Sequence, residues 1–581
     1  MTAAGRPDVS FARGAGFGLN ARVALVEGNL PAVSDDRLAQ VKNALERRLH
    51  VPDGFWETLE VPHDPTAYAC SLAYLALSAH LRQIVCWRAT RLSGEGQNTL
   101  ILPYQNAALA RDLVNRVLEW LTAERIDDDK TLDALLEAVN SAHRRHLTTF
   151  VTKSALGFTA LRLGYPLFED EFSNLVVGEG MRARVLNGLH TDQTSVLGVF
   201  LSSNKSHTAR RLRRAGLPAA PNLAAPTAEV AMKAATRIGF PVVVKPVDQE
   251  HGNGVTNDVR DEAELRRAWL GARKYSEAIL VEQHVAGFTH RVTVIAGEVV
   301  NVVRRMPGGV TGDGRSTVAE LVDQFNAAPR QARLNQRRGN AALTLDREAA
   351  ELLRRAGLSD KSVVAEGAFV ALRRKDNSRA GGTNHPVRME DAHPDNLTLA
   401  VQAAQVMLLD IAGVDLILSD IGASWRAQQS TICEVNSNPE MGLTAHGAPF
   451  EAALAQLTGG SADHARIPVT LHVMADTDWQ PGERPEAAQA AWYCDAAGLL
   501  QGERFVAGPF DDGFHAARAA LANRSVTALD TAIAASQLLQ AGLPSARFDR
   551  ILLDARLASR QSAAIRALCA GHGPIEVRQP G

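Results

Sequence analysis

Hydrophobic residues recur at intervals of three and four through much of the first 150 residues, a spacing typical of amphipathic helices. The pattern is clear at 35–49, 106–124 and 132–146, and the apolar run RVALVEGNL at 22–30 predicts a strand before these helices. Short apolar stretches after the last helix predict further strands. Helices mixed with strands in this way indicate an N-terminal α/β domain over residues 21–200.

The pattern changes from residue 201 onward, where helical and strand-like stretches alternate. The β-branched run FPVVVKP at 240–246 predicts a strand, and HRVTVIAGEVVNVVRR at 290–305 predicts a hairpin, because apolar residues flank the turn AGE. We therefore expect one α+β domain over residues 201–460 and a separate small α/β domain over 461–581. The helices predicted in the first of these domains lie at 227–239, 261–275 and 395–413.

A chain of 581 residues is too long for a single hydrophobic core and indicates three or four domains. Its composition is typical of a globular protein, and 62 Lys and Arg residues nearly balance 64 Asp and Glu residues. Nucleic acid or an acidic membrane surface usually requires a clear excess of positive charge in its protein partner. The sequence therefore predicts neither a nucleic acid partner nor a membrane partner.

The compartment is predicted from the cysteines and the N-terminus. Five cysteines lie far apart without a CxxC pair, which argues against a disulfide framework and against a zinc ribbon. The N-terminus lacks the apolar core of a signal peptide, and no unbroken apolar stretch is long enough to span a membrane. We predict a cytoplasmic protein whose residues 1–20, rich in Gly and Ala, are at least partly disordered.

Polar side chains interrupt an apolar passage at CEVNSN, residues 433–438. On a strand, residues two apart face the same side, so Glu434 and Asn436 present two oxygen donors together. Asp415, in the preceding apolar stretch, can add a third. Two ordinary solvent-facing residues are the alternative, because a short motif is a weak signal on its own. Oxygen donors of this kind suit Mg²⁺, so the pattern indicates a candidate cation site.

Two lysines and a glycine-rich loop precede this candidate cation site. Lys205 lies in a short polar helix, Lys245 lies in the strand VVVKP, and residues 251–256 read HGNGVT. Each has an ordinary explanation, since a lysine can extend from a strand end into water and HGNG can form a turn. Together they indicate a nucleoside triphosphate site in which lysines and backbone N–H groups hold phosphates. The Walker pattern is absent, so this is not a P-loop site.

The order of these features and the sequences around them resemble the ATP-grasp ligases, and most closely the ATP-grasp part of the cyanophycin synthetases. The resemblance covers about residues 150–460. It implies a central ATP-grasp fold within a multidomain chain of α+β and α/β class. It is carried by the stretches NKSHTARRLRRAGLPAAP, FPVVVKPVDQEHGNGVTND, ILVEQHVAGFTHRVTVIAGEVV, VTGDGRSTVAELVDQFN, GGTNHPVRMEDAHPDN, AGVDLIL and EVNSNPEM.

The resemblance implies a role for each residue that matches the family's motifs. Arg291 matches the arginine that steadies the acyl phosphate, and residues 282–285 match the hinge that binds adenine. His251 and Lys245 are implied as further catalytic residues. The implied ligand-binding residues are Lys205, Lys245, His251, Gly252, Gly254, Val255, Glu282, Gln283 and Val285 for ATP, and Asp415, Glu434 and Asn436 for two Mg²⁺ ions.

The implied reaction begins with activation of a carboxylate by ATP to an acyl phosphate, because a carboxylate is a poor electrophile. An amine then attacks to give an amide, ADP and phosphate. We expect amino acids or a short peptide as substrates, and a homo-oligomer, either a dimer or a tetramer. Two alternatives stay open. One is a γ-glutamyl-type ligase of glutathione-like synthesis, since NSNPEM is similar to the bifunctional glutathione synthetases, and the other is a catalytically inactive, ligand-binding relative.

Two departures from the family pattern bear on the substrate. The motif similar to NLSTGGT reads NSRAGGT at 377–383, which puts Arg379 where relatives have a small hydroxyl. A guanidinium there can hold a carboxylate, which indicates an acidic or carboxylate-terminated substrate; a mobile loop that points Arg379 into water is the alternative. Thr289 stands where many relatives carry an acid. The implied substrate-binding residues are Asn377, Arg379, Gly381 and Gly382.

The region after residue 460 departs further from the family. Cyanophycin synthetases continue into a Mur-ligase-like domain with a phosphate loop of the pattern GTNGKT, whereas this chain reads ARIPVTLHVMADTDW at 465–479. The glycines and the lysine are absent, and Asp476 and Asp478 lie nearby, where carboxylates would repel a triphosphate. The resemblance therefore implies a degenerate Mur-ligase-like α/β domain over 461–581 that lacks the phosphate loop.

Overall fold

The chain forms two compact units in the computed structural model, one of residues 1–188 with 443–581 and one of residues 189–442. The C-terminal region thus shares a unit with the N-terminal region, and the predicted boundaries at 200 and 460 stay predictions. Both units mix helices and strands, as the predicted α/β and α+β class requires. The structure describes residues 7–578 except 29, 50, 53, 95–96, 147–150, 248–252, 329–341, 375, 377–380, 440, 442–447 and 478.

Residues 7–188 form an antiparallel sheet covered by helices. Their elements are α1 (Asp35–Arg48), α2 (Phe55–Thr58), α3 (Pro65–His80), α4 (Ala107–Thr122), α5 (Asp129–His146), α6 (Val151–Arg162), β1 (Asp8–Ala12), β2 (Val23–Glu27), β3 (Thr90–Gly94), β4 (Gln97–Pro103), β5 (Leu167–Glu169), β6 (Leu175–Val177) and β7 (Arg184–Asn187). The sheet order is β1-β2-β4-β3. Helix α3 is almost entirely buried, and its Tyr74 hydroxyl donates to the carbonyl oxygen of Pro103 at 2.9 Å, which fastens the helix to the sheet.

Residues 189–441 contain antiparallel sheets that carry the candidate site. Their elements are α7 (Val196–Ser202), α8 (Lys205–Arg214), α9 (Ala228–Ile238), α10 (Glu262–Arg273), α11 (Val318–Ala327), α12 (Arg347–Arg355), α13 (Pro394–Val406), β8 (His190–Thr191), β9 (Asn222–Ala224), β10 (Val242–Pro246), β11 (Thr256–Val259), β12 (Ile279–Gln283), β13 (Phe288–Ile295), β14 (Glu298–Met306), β15 (Gly309–Thr311), β16 (Phe369–Ala371), β17 (Thr383–Val387), β18 (Ile411–Leu418) and β19 (Ser430–Asn436). The five-stranded sheet has the order β17-β14-β13-β18-β19, and a four-stranded sheet has the order β11-β10-β12-β9.

The predicted elements of this second unit agree with the structure apart from their ends. The helices predicted at 227–239 and 261–275 are α9 and α10, and the predicted hairpin is β13 with β14. Helix α13 ends at Val406, and Leu408 follows with a positive φ of 59°. The last residues of the helix predicted at 395–413 therefore belong to strand β18.

Residues 448–578 complete the first unit with a seven-stranded sheet. Their elements are α14 (Ala448–Thr458), α15 (Gly513–Ala522), α16 (Ala535–Ala541), α17 (Ser559–Cys569), β20 (Val469–Met474), β21 (Trp492–Asp495), β22 (Gly498–Gln501), β23 (Arg504–Ala507), β24 (Leu529–Ala534), β25 (Arg550–Asp554) and β26 (Ile575–Arg578). The order is β23-β22-β21-β24-β20-β25-β26, and the strands from β21 to β26 in that order run parallel. Within the described residues, no helix is long and apolar enough to cross a membrane.

The segment after β1 lies against the C-terminal part of the same unit. Ala15 forms a β-bridge with Leu543, and the N–H of Phe17 donates to the carbonyl oxygen of Leu568 at 2.8 Å. A Cβ atom at Gly14 would overlap the Leu543 carbonyl, so this close approach requires glycine. Composition predicted partial disorder for residues 1–20, whereas the described residues 7–20 include strand β1. Local composition does not reveal backbone hydrogen bonds to a segment more than 500 residues away.

Candidate active site

Three neighbouring strands bring the central charged residues together. In the antiparallel pair β13–β18, Arg291 lies directly opposite Asp415, and in the pair β18–β19, Asp415 lies opposite Glu434. Directly opposite residues of an antiparallel pair lie on the same face, so the three side chains line one side of the sheet. Strand pairing thus positions the Asp415 carboxylate between the Arg291 cation and the Glu434 carboxylate.

Arg291 and Asp415 form a buried ion pair with two contacts. The Arg291 Nε donates to Asp415 Oδ1 at 2.5 Å and Nη2 donates to Oδ2 at 2.8 Å, while Arg305 Nη1 adds a third donor to Oδ2 at 3.3 Å. Burial alone would raise the pKa of Asp415, but the two guanidinium groups outweigh it and lower that pKa. Asp415 is therefore ionised, as a predicted metal ligand must be, but arginines engage both of its oxygens.

The side chain of Arg291 has room beside β18 because residue 413 is glycine. A Cβ atom there would lie 2.9 Å from Arg291 Cδ and 2.6 Å from Pro439 Cβ. Such distances are too short for carbon atoms, so any larger residue would displace the arginine or the proline. Gly413 is not one of the predicted site residues, although a glycine inside a strand is a signal of close packing.

Glu434 and Asn436 lie on the same face of β19, as their spacing predicted. The Glu434 carboxylate is about one-third exposed and lies 3.6 Å from Lys205 Nζ. Lys205 is positioned as the first residue of α8, after the N-cap Asn204, whose side chain accepts from two backbone N–H groups. The side-chain nitrogen of Asn436 is buried without a hydrogen-bond partner among the described residues. The structure thus brings together three of the predicted phosphate and metal residues.

The donor set fits Mg²⁺ in its chemistry. Two carboxylates and one amide, Asp415, Glu434 and Asn436, offer the hard oxygen ligands that Mg²⁺ prefers. Within the part of the chain that the structure describes, no three His, Cys, Asp or Glu side chains form a ready-made metal cluster.

Lys245 forms the second buried ion pair. Its Nζ lies 2.9 Å from Glu282 Oε1 and 2.8 Å from Oε2, across the antiparallel pair β10–β12. Burial alone would lower the pKa of Lys245, but the attraction of Glu282 outweighs it and raises that pKa. Lys245 is thus a fixed positive charge, as the predicted phosphate contact requires. Glu282, predicted to meet adenine, instead holds the lysine in this structure.

The remaining predicted nucleotide residues flank these pairs. The Gln283 N–H donates to the carbonyl oxygen of Pro221 at 3.1 Å, and Val285 follows directly after β12. Gly254 has a φ of 70°, which favours glycine, and it leads through Val255 into β11. The predicted residues His251 and Gly252 lie outside the described residues.

The predicted substrate loop is described only in part. Gly381, with a φ of 80°, and Gly382 lead into β17, which pairs with β14. Asn377 and Arg379 lie outside the described residues, so their predicted contacts stay predictions.

Arg305 and Asp376 extend the site beyond the predicted residues. Arg305 lies opposite Thr289 in the pair β13–β14, and the Thr289 hydroxyl hydrogen bonds to the carboxyl group of Asp376. Burial raises the pKa of Asp376, against the opposing effects of Thr289 and Arg305. An acid therefore does lie beside Thr289, but it comes from another segment, and only the Thr289 departure hinted at it.

The C-terminal sheet holds Asp476 at the place predicted to lack a phosphate loop. Asp476 follows β20, and its Oδ1 accepts from the Ser536 N–H at 3.1 Å and from the Ser536 hydroxyl at 2.6 Å. Its Oδ2 accepts from Gln561 Nε2 at 2.6 Å. Asp478 lies outside the described residues. The Asp476 carboxylate thus accepts the hydrogen bonds of Ser536 and Gln561 at the end of β20.

Comparisons with known proteins find several similarities. Residues 212–311 match the family model described as the D-ala D-ala ligase C-terminus. The chain is 36% identical over 292 residues to a cyanophycin synthetase of Nostoc sp., which covers 49% of this chain and 32% of the relative. It is 29% identical over 318 residues to the glutathione biosynthesis bifunctional protein GshAB of Mannheimia succiniciproducens, which covers 53% of this chain and 41% of the relative. A solved structure of a bifunctional glutathione synthetase from Pasteurella multocida aligns with a TM-score of 0.40 at 24% identity, over 60% of this chain and 52% of that one.

These similarities confirm the resemblance to the ATP-grasp ligases that the motifs predicted. The chain spans about a third of the length of the cyanophycin synthetases it matches. The predicted relation of residues 461–581 to a Mur-ligase-like domain stays a prediction.

Proposed function

We propose that the chain is an ATP-dependent carboxylate–amine ligase that joins amino acids or a short peptide by an amide bond. One observation carries the proposal. Arg291, Asp415 and Glu434 lie side by side on three strands, with Lys205 3.6 Å from Glu434. Fixed cations beside oxygen ligands are what phosphoryl transfer to a carboxylate requires.

The first step is attack of a carboxylate oxygen on the γ-phosphorus of ATP, which forms the acyl phosphate and releases ADP. Lys205 and Lys245 hold the phosphates through fixed positive charge. When bound, Mg²⁺ would neutralise phosphate charge between Glu434, Asn436 and Asp415. Arg291 lies where its planar guanidinium can donate to a phosphate oxygen in place of a carboxylate oxygen of Asp415.

In the second step the amine nitrogen attacks the carbonyl carbon, the carbon–oxygen bond to phosphate breaks, and a proton leaves the nitrogen. The guanidinium of Arg291 stabilises the negative charge on the tetrahedral species and on the departing phosphate. Arg305 is a second cation that can reach the reacting groups. Its contact with Asp415, at 3.3 Å, is longer than that of Arg291, and its side chain is more exposed. Water must stay away from the acyl phosphate during this step, because hydrolysis would waste it.

The substrate class rests on Arg379, which lies outside the described residues. A guanidinium at that position selects an acidic or carboxylate-terminated substrate. Arg379→Ser should then raise the KM for that substrate about tenfold to a hundredfold, which corresponds to about 1.4 to 2.8 kcal/mol. Unchanged kinetics for every substrate would remove Arg379 from the site.

A γ-glutamyl-type ligase is the second candidate, favoured by the similarity to the glutathione biosynthesis protein. Phosphate release with every pair of amino acids and short peptides, followed by the mass of each product, distinguishes the two. A product that contains glutamate joined through its side chain supports the second candidate. Phosphate release with no pair, under conditions where ATP binds, would contradict ligase activity.

The acyl phosphate has a test of its own. A substrate labelled with ¹⁸O in its carboxyl group should transfer one labelled oxygen to the released phosphate, because the bond that breaks joins carbon to that oxygen. Glu434→Gln should abolish turnover with the fold intact, whereas the matched change Glu298→Gln, at the exposed first residue of β14, should leave turnover unchanged. Unlabelled phosphate would exclude the acyl phosphate route.

The number of Mg²⁺ ions, the oligomeric state and the compartment are further parts of the proposal. Two ions are expected, and Asp415 on β18 with Glu434 and Asn436 on β19 would hold them and supply neutralising charge to the phosphates. Equilibrium titration with Mn²⁺ in the presence of a non-hydrolysable ATP analogue counts the ions, and sedimentation measures whether the chain is a dimer or a tetramer. A stoichiometry of one ion would contradict the expected pair of Mg²⁺ ions, and a monomer in sedimentation would contradict the expected homo-oligomer.

A further inference from the structure

A small cavity lies within the first unit, outside the candidate active site. Its volume is about 40 Å³, and residues of five separate segments line it, among them Arg22, Phe168 and Arg518. A buried water needs about 10 to 15 Å³ of such space, so the cavity has room for a few waters or for one small oxyanion. Neither the sequence motifs nor the proposed ligase mechanism uses these residues.

Arg518 reaches this cavity from α15 without an anionic partner. Its guanidinium lies over the rings of Phe168, at 4.2 Å from the centroid, and of Phe514, at 5.3 Å. Among the residues that the structure describes, no carboxylate lies within ion-pair distance of it. Burial and the nearby charge of Arg22 lower the pKa of Arg518 to about 9, against the opposing attraction of Glu179.

Arg22 is similarly uncompensated. Its Nη1 donates to the carbonyl oxygen of Gln105 at 3.4 Å, and its Nη2 donates to the carbonyl oxygen of Glu169 at 3.2 Å. Both acceptors are neutral backbone groups. The carboxylate of Glu169 forms an ion pair with Lys153, whose Nζ lies 2.7 Å from Glu169 Oε1. Two guanidinium groups thus approach one cavity, and neither forms an ion pair with a carboxylate of the described residues.

The one carboxylate in the cavity wall already has partners. Glu179 Oε1 accepts from the Ser545 hydroxyl at 2.5 Å, and Oε2 lies 3.6 Å from Arg466. Burial raises the pKa of Glu179, against the opposing effect of Arg466. The cavity wall thus contains two arginines, Arg22 and Arg518, and one carboxylate, so it carries an excess of positive charge.

We propose that this cavity, between Arg22 and Arg518, binds a small oxyanion, either phosphate or the carboxylate of a small acid. Guanidinium groups suit both ligands, because their planar donors match two oxygens at once. A bound oxyanion would supply the missing counter-charge and would link the segments that contain Arg22, Phe168 and Arg518. Inorganic phosphate is the first ligand to test, since the proposed ligase reaction releases it.

Thermal unfolding of the full chain tests the proposal. The melting temperature is measured in sodium phosphate, in sodium acetate and in sodium chloride at equal ionic strength, and calorimetry gives the dissociation constant. Phosphate or acetate should raise the melting temperature above that in chloride, and the more effective anion identifies the ligand. The matched variants are Arg518→Met, which keeps the aliphatic contact with the rings, and Arg566→Met on the exposed face of α17.

Lys245→Ala separates this cavity from the candidate active site, where phosphate can also bind. The anion effect should persist in Lys245→Ala and Arg566→Met, and Arg518→Met should weaken binding by about tenfold or more. If Arg518→Met does not fold, Arg22→Met serves in its place. The proposal is overturned if chloride stabilises as well as the oxyanions, if the effect disappears in Lys245→Ala, or if it survives in Arg518→Met and Arg22→Met. Each of these results would mean that the cavity holds water only.

Discussion

The guanidinium of Arg291 donates two hydrogen bonds to the carboxylate of Asp415. The two residues are 124 positions apart in the chain but lie directly opposite each other on the neighbouring strands β13 and β18. Both side chains are buried, with exposed fractions of 7% and 2%. Removing one partner of a buried ion pair lowers the stability of the fold by more than the intact pair contributes to it, because the remaining charge is then buried without a counter-charge. The same two residues are those that the proposed reaction asks to rearrange around phosphate and Mg²⁺.

Asp415→Asn should lower the free energy of unfolding by about 3 to 5 kcal/mol, because it leaves the Arg291 charge buried without its counter-charge. Urea unfolding measures the change. The double variant Arg291→Met with Asp415→Leu removes both charges and should regain most of this stability while it stays inactive. Wild-type stability in Asp415→Asn would show that the pair is not needed for the fold.

Lys245→Met should weaken ATP binding by at least about tenfold, which corresponds to about 1.4 kcal/mol, since its charge is held where the phosphates are proposed to lie. It should also lower stability, because Glu282 then stays buried without its cation. Calorimetric titration with a non-hydrolysable ATP analogue measures the first effect. Lys233→Met, an exposed lysine on α9, is the matched control and should change neither quantity. Unaltered ATP binding in Lys245→Met would reduce Lys245 to an ordinary strand-end lysine.

The elements of the second unit could be predicted from sequence because their signals are local. Apolar periodicity marks α9 and α10, and the turn between β13 and β14 marks the hairpin. The spacing of Glu434 and Asn436 likewise fixed their common face. The exact end of α13 was not visible, since Leu408 adopts a left-handed conformation that its sequence does not suggest.

The partners of the site residues could not be predicted, because register between distant strands decides them. Nothing local indicates that Glu282 meets Lys245 rather than a ligand, or that Arg305 reaches Asp415 from β14. The joining of the N-terminal and C-terminal regions in one unit could not be predicted either, because it also depends on contacts between distant segments. Backbone contacts such as Ala15 with Leu543 join segments whose own sequences look independent.

His290 gives the fold a pH dependence. Burial lowers its pKa from about 6.5 to about 4, while its Nδ1 lies 3.0 Å from the carbonyl oxygen of Phe288. Between these two pH values the unfolded chain binds more protons than the folded chain, so stability should fall as the pH falls from 6.5 toward 4. Urea unfolding across this range, with His290→Gln, should give a flatter profile for the variant. The exposed His63→Gln should keep the wild-type slope, and an identical slope in both variants would exclude His290 as the cause.

Gly413→Ala is the smallest change that should disturb the candidate active site without removing any charged group. The added Cβ would lie 2.9 Å from Arg291 Cδ, 3.0 Å from Arg291 Nη1 and 2.6 Å from Pro439 Cβ, so the arginine or the proline must move. Overpacking in a buried strand typically costs about 1 to 3 kcal/mol of stability. Because Arg291 is proposed to act on the acyl phosphate, its displacement should also lower kcat, with little effect on the KM for ATP.

The control for this change is Gly271→Ala on helix α10, where no atom lies within 4 Å of the added Cβ. Alanine is the better helix former by up to about 1 kcal/mol, so Gly271→Ala should be neutral or stabilising and should leave kcat unchanged. A purely structural role for Gly413 predicts lost stability with a wild-type kcat at a temperature where the variant is folded. A role in seating Arg291 predicts that kcat falls at that same temperature, and that the Arg291→Met variant becomes insensitive to the alanine. The double variant Gly413→Ala with Arg291→Met therefore decides between them, since only the seating role makes the two effects on kcat non-additive.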